Sequence, residues 1–415
     1  MTLLGGVLSV KGMAFLMFSI LIVTALGYML GRITIKGVSL GTAGVFIVAL
    51  LYGALFYEDL AAVLKTPELT SQSLKVVEQL GLIFFVTAVG FIAGPKFFKN
   101  LKKNFKSYIL LGLIIILSGG LVTVGCYYFG TATGLGMGDL ESKAEFMAML
   151  DGLLSGALTT TPGFSAAKEA APEFEAAITV GHGIAYLFGV VGVVLFVQLI
   201  PKIMKADMDA ERAKLVDADT AEVKEYTGKL INIDDMGLGA FALAAILGVL
   251  LGSIKIPLTS AGFGGTCFSL GTTGGTLIMS LIFGHFSHIG PINVMPPKPT
   301  LQVLRELGLM LFLIGAGVAG GADFVKYFEP IYFVYGAIMT TVPMIIGFLF
   351  AKYVLKLSLL NNLGSITGGM TSTPALGTLI GVAKTEEVAS AYAATYPISL
   401  LAIVLVSQFL MIIWG

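Results

Sequence analysis

Two stretches place hydroxyl residues against a proline in otherwise apolar, small-residue sequence. They are Thr159-Thr160-Thr161-Pro162-Gly163 and, 212 residues later, Thr371-Ser372-Thr373-Pro374-Ala375. Proline lacks an N–H and clashes with the preceding turn, so each stretch breaks a helix. The local pattern makes Thr161 and Thr373 N-caps, with Pro162 and Pro374 at the first position of a new half-helix. Such a start leaves backbone N–H groups free and a partial positive charge near Gly163 and Ala375. In water that is an ordinary helix start; inside a membrane it is a place for an anion. The hydroxyls can donate to a carboxylate and accept from an ammonium group. All ten residues are therefore candidate substrate ligands. The competing role, satisfying carbonyls freed at the break, suits a single motif better than a duplicated pair.

Other polar residues in apolar surroundings are weaker candidates. His182 lies in the apolar segment after the first motif, at the position matching Ala394, with Tyr396 close by in the second copy. Asp151 opens the apolar part of the first broken segment, near the equivalent of Asn362. His182, Tyr396 and Asp151 are candidates for substrate contact or ion coupling, against packing, capping or a water-facing position. Glu78 and Gln79 match Arg305 and Glu306 at the starts of two further segments, where an ion pair or interfacial anchoring is expected. His285 and His288 have no third partner, so no metal site is expected. No phosphate-binding loop, nucleophile elbow or HExxH pattern occurs, so neither a catalytic residue nor a cofactor is expected.

The elements that must position these residues are membrane helices. Hydrophobic residues form 56% of the chain and charged residues 12%, against roughly a quarter charged in soluble domains. Net charge is zero, which leaves nucleic acid without a role. Cys126 and Cys267 sit in apolar or small-residue sequence and read as buried free thiols. Apolar segments fall at 13–31, 39–57, 77–97, 108–129, 145–171 and 177–200, then at 236–252, 269–285, 303–321, 331–354, 360–382 and 388–413. The N-terminal segment has no basic flank or cleavage site and reads as a retained helix.

The second series repeats the first. Residues 73–98 align with 300–325 without a gap, with nine identities in 26 positions. SLGTAG at 39–44 matches SLGTTG at 269–274. Three matched blocks in one order make an internal duplication. The loop at 96–106 carries five lysines and no acid, while its counterpart at 323–329 has one lysine and two acids. Lysine-rich loops stay cytoplasmic, so the matched loops are expected on opposite faces and the repeats inverted. That requires an odd number of crossings per half. The broken segments, with arms of about 12 residues or ~18 Å of helix, then enter and return within a ~30 Å core. The expected architecture is an all-α polytopic membrane protein of two inverted repeats, each five transmembrane helices plus one re-entrant helical hairpin. The halves are 1–200 and 236–415, both termini face outward, and 201–235 is a cytosolic linker with 15 charged residues in 35.

GGMTSTPALG at 368–377 followed by AYAATYPISLLAIVLVSQ at 391–408 resembles the aspartate:alanine exchanger family. That family carries a TxTP-type motif in each half of a duplicated membrane module. TTTPGFSAA at 159–167 and the LG-x-x-G steps at 40–44 and 270–274 fit the same pattern. The resemblance covers nearly the whole chain. It implies a secondary transporter of amino acids or small organic anions, in a bacterial inner membrane, working as an elevator and as a homodimer. It also implies that 159–163 and 371–375 are the substrate-site tips. Many family members insert TrkA-C-type domains between the halves, where this chain has only 201–235. An antiporter of amino acids or small (di)carboxylates is the expectation, with a sodium- or proton-coupled symporter as the alternative. The absence of a repeated filter or charged ring weighs against a channel.

Overall fold

The computed structural model describes the chain except residues 1, 4–7, 36–37, 40–41, 65, 104, 139, 216–229, 258–266 and 386. The first half runs α1 (Met13–Gly31), α2 (Ala43–Leu64), α3 (Pro67–Lys103), α4 (Leu110–Thr133), α5 (Lys143–Ala157), α6 (Thr161–Ala170) and α7 (Glu175–Ile203). A short α8 (Met208–Arg212) follows. The second half runs α9 (Leu238–Gly252), α10 (Gly271–Phe286), α11 (Lys298–Ala322), α12 (Phe324–Tyr327), α13 (Ile331–Leu349), α14 (Leu359–Gly369), α15 (Thr373–Ala383) and α16 (Val388–Trp414). Among the described residues, strands are two-residue pairings in loops. Among the described residues, eight helices are long and apolar enough to cross a membrane. The protein is an all-α polytopic membrane protein.

Two apolar segments come out shorter than a full crossing. α9 has 15 residues and α10 has 16, or about 22–24 Å at 1.5 Å per residue. Local chemistry delays the start of α9. Gly237 takes a left-handed φ of 71°, and the Asp234 carboxylate accepts from the amides of Met236, Leu238 and Gly239. Gly271, with φ of 65°, opens α10. The lysine-rich stretch expected as a loop at 96–106 is instead helical to Lys103, where α3 continues through Pro95. The LG-x-x-G step at 40–44 lies partly outside the described residues. Cys126 is a buried free thiol, and the side chain of Cys267 is not among those described.

The centre of the molecule is the crossing of α3 and α11. Gly81 rests on the Gly308 carbonyl and on Phe312, Gly308 rests on the Gly81 carbonyl and on Phe85, and Gly315 rests on Glu78. Partner numbers fall along α11 as they rise along α3, so the helices are antiparallel. They are also the matched pair of the duplication, and the matched glycines face each other. A Cβ at either Gly81 or Gly308 would lie 2.7 Å from the other's carbonyl oxygen, so no larger residue fits this crossing. Around it the packing is reciprocal: α10 lies on α3 at Gly90 and Gly94, and α2 lies on α11 at Gly317 and Gly321. Small residues allow this close approach, which drives helix association where apolar surface gains nothing against lipid.

The other elements form the largest apolar core, which includes both broken segments, α4, α7, α13 and α16. Gly152 of α5 packs on Ile178, and Gly156 on His182 and Ala185. Rising numbers on α5 meet rising numbers on α7, so these helices are parallel. The intervening α6 must therefore run back beside α5. In the same way Gly364 of α14 meets Val388 and Gly368 meets Tyr392 of α16. Both broken segments are hairpins.

Candidate functional site

Each hairpin turns through the same backbone device. At the end of α5, the Thr159 amide donates to the Gly156 carbonyl and the Thr160 amide to the Ser155 carbonyl. At the end of α14, Thr371 donates to Gly368 and Ser372 to Thr367. This bond pair is the Schellman closure, whose turning residue is usually glycine because it needs a left-handed backbone. Here it is threonine in both copies, with φ of 51° at Thr159 and 49° at Thr371. A β-branched residue there is strained, by about 1–3 kcal/mol.

The hydroxyls explain why threonine is kept. Thr159 Oγ1 donates to the Met370 carbonyl at 3.0 Å, and Thr371 Oγ1 donates to the Leu158 carbonyl at 2.8 Å. Each carbonyl belongs to the capping residue of the other hairpin's first arm. The two tips thus meet in a crossed clasp, and each threonine satisfies a carbonyl that the partner's helix end leaves free. Glycine would relieve the backbone but could not donate across.

The structure shifts the capping position expected from sequence. Thr161 and Thr373 are the first helical residues, and the N-caps are Thr160 and Ser372. The Schellman closure uses only two residues beyond the arm, so the residue after the left-handed threonine is the extended one. Thr160 has φ −105° and ψ 105° and its Oγ1 accepts from the Gly163 amide at 3.2 Å. Ser372 is equally extended, yet its side chain makes no cap bond. Its Oγ is buried and has no hydrogen-bond partner. The start of α6 is therefore closed by its own threonine, while the start of α15 is open. Thr159, Thr160, Thr161, Pro162 and Gly163 are all buried, as are Thr371, Ser372 and Ala375. Pro374 is half-buried, and the side chain of Thr373 is not among those described.

His182 lies directly behind the first tip. Its Nδ1 is 2.8 Å from Ser155 Oγ, and its ring stacks on Phe164 at 4.1 Å between centroids. Its Nε2 is buried without a partner, as is Ser165 Oγ in α6. Buried polar atoms are nearly always bonded, so both are open to a further partner. Asp151 lies two turns back from the tip on α5 and is fully buried, which removes the water-facing and capping roles. Its Oδ1 accepts from Ser407 of α16 at 2.9 Å, and Oδ2 has no partner. Tyr396 is half-buried on α16, where its ring stacks on Tyr392.

Lys168 and Glu169, which follow the first tip, are not among the candidates the sequence offers. Lys168 is 8% exposed and pairs with Glu78 of α3 at 2.5 Å and Glu175 of α7 at 2.7 Å. Lys75 extends the chain to Glu175 at 3.2 Å. Glu169 accepts from the amide and hydroxyl of Thr273 near the start of α10. Arg305 and Glu306 pair with each other at 2.7 Å.

A family profile for the Asp-Al_Ex predicted permease membrane region matches residues 19–202 and 240–412. The chain belongs to that aspartate:alanine exchanger family. An uncharacterized transporter of Bacteroides fragilis is 27% identical over 549 aligned positions, covering 94% of this chain and 97% of the relative. One from Bacteroides thetaiotaomicron is 26% identical over 94% and 97%, and one from Rhodopirellula baltica 25% over 95% and 99%. These alignments exceed the 415 residues of the chain, so the relatives contain residues this Asp-Al_Ex member lacks. The profile skips 203–239, the stretch between the halves.

Proposed function

We propose that this family member is a secondary active transporter, not an enzyme, that exchanges amino acids or small organic (di)carboxylates. The carrying observation is the crossed clasp: symmetry-matched helix starts are brought together in a buried, hydroxyl-rich place. Substrate is held at the two tips, 159–163 and 371–375. Its carboxylate sits at the open start of α15, where Ser372 Oγ and the amide end of the helix are unspent. Thr160, Thr161 and the edge of His182 line the opposite side. Thr159 and Thr371 spend their hydroxyls on the clasp and hold the tips in register.

The halves 1–200 and 236–415 are inverted repeats joined by the linker 201–235, each with five crossings and one re-entrant hairpin, α9 and α10 counting as crossings despite their 15 and 16 residues. Antiparallel packing of the matched α3 and α11 supports the inversion, since a parallel repeat would not reverse them. The panel of α1–α3 and α9–α11 serves as scaffold, and the hairpins with α4, α7, α13 and α16 move against it as an elevator. The protein works as a homodimer in the bacterial inner membrane, with both termini outside. Counterflow in proteoliposomes tests exchange: labelled substrate should accumulate only in vesicles preloaded with a partner amino acid or dicarboxylate. Equal accumulation in empty vesicles overturns it.

A second reading is a sodium- or proton-coupled symporter, and Asp151 favours it. A fully buried carboxylate with one hydroxyl partner is costly as a bare anion, and a bound proton or cation relieves that cost. In that case empty vesicles accumulate substrate under an imposed ion gradient, and Asp151→Asn abolishes the gradient dependence.

A further inference from the structure

The first hairpin is tied to its surroundings by Lys168 and Glu169, but the second has no such pair. Lys168 matches Ile380 and Glu169 matches Gly381 in the duplication. The base of the second hairpin is held differently, by the segment between the halves. Glu211 Oε2 accepts from the Leu359 amide, at the first residue of α14, at 2.9 Å. Arg212 Nη1 donates to the Ala383 carbonyl, at the last residue of α15, at 2.9 Å. Two adjacent residues of α8 thus grip both feet of one hairpin. Each meets the helix end that suits its charge: the carboxylate at a helix start and the guanidinium at a helix end.

Further features fix α8 in place and leave α15 room to move. Ala206, Met208 and Leu215 pack against the large core, which anchors the segment from below. Glu211 is also paired with Lys214 and Arg212 with Asp209. α6 is buried from Thr161 to Lys168, whereas α15 exposes Gly377 and Gly381, whose missing side chains would meet open space. A cavity of about 450 Å³ lies between Met208, the end of α7 and Val382 of α15. The returning arm of the second hairpin is thus buried at Ala375, Leu379 and Ala383 but open on the side of Gly377 and Gly381, and α8 holds its feet. α8, part of the segment read from sequence as a cytosolic linker, thus touches the hairpin directly, and it falls in the stretch that the family profile skips.

We propose that Glu211 and Arg212 are positioning residues that hold the second hairpin closed, so that the linker sets how often α15 leaves the tip clasp. The proposal rests on the reading that the tips form the substrate site. Releasing the feet lets α15 swing into the cavity and opens the start of α15 to solution. The linker thereby governs access without touching substrate.

Hydrogen–deuterium exchange on the full chain in lipid nanodiscs tests this, comparing wild type with the Glu211→Gln/Arg212→Gln double variant. Amides of 375–383 should exchange about tenfold faster in the variant, the size of a lost charge-assisted bond, while those of α6 stay unchanged. Lys214→Gln, which leaves both feet held, should exchange as wild type does. Unchanged exchange at 375–383 overturns the strut, and so does equal acceleration in α6, which would report general loosening. Counterflow on the same proteins separates the two ideas. Faster hairpin exchange without any flux in wild type keeps the strut and rejects the transport reading.

Discussion

Ser372 and Thr160 occupy matched positions, yet one hydroxyl is spent and the other is free. That difference separates residues whose loss unfolds the tip from residues whose loss empties it. Thr159→Val or Thr371→Val leaves a buried capping carbonyl without a donor, which costs about 1–3 kcal/mol and should lower the unfolding temperature in detergent. Thr159→Ser keeps the hydroxyl and should restore most of that loss. An unchanged unfolding temperature in both valine variants contradicts the clasp. Lys168→Met leaves Glu78 buried without its cation, a loss of about 3–5 kcal/mol. Adding Glu78→Gln should recover much of it, measured by the same thermal assay; no recovery would show that Lys168 acts through Phe164 packing instead.

Helix identity was legible element by element, because apolar length and the Thr-Pro breaks speak directly to secondary structure. α1 begins and ends where its apolar run does, and both hairpins break within the hydroxyl motifs. The cap register was not legible, since it depends on a left-handed threonine that propensity disfavours. Nor was the grip of α8, because it joins residues 148 and 171 positions apart. Lys168 was not singled out for a similar reason: its partner Glu78 lies 90 positions away. Charge in a segment flank is read as water-facing unless a distant partner is known. The α3–α11 crossing has no room for a larger residue. Gly81→Val or Gly308→Val drives a branched side chain into the facing backbone and should destabilise the protein by more than the roughly 1–3 kcal/mol of ordinary overpacking. Gly125→Ala, where a Cβ meets nothing within 4 Å, is the control and should be silent.

For the whole molecule, the duplication carries the account. The same succession of helices appears in each half, but equivalent parts are held by different means: an ion network at the foot of the first hairpin, a linker strut at the foot of the second. An exact two-fold would give two equal hairpins. This chain has one buried and one partly exposed arm. What sequence alone could not supply was this asymmetry, since it arises from Lys168 and from α8, neither of which lies in a repeated motif.

The most direct test of the tip site is the half-saturation concentration of counterflow in wild type, Ser372→Ala and Thr160→Ala, with unfolding temperature measured on each sample. The account predicts that Ser372→Ala raises half-saturation about tenfold or more, the factor for one lost hydrogen bond to a charged group, at unchanged unfolding temperature. Thr160→Ala should raise it as well, with a loss of about 1 kcal/mol from the missing cap. Wild-type half-saturation in both variants, with flux intact, would place the substrate elsewhere and contradict the account.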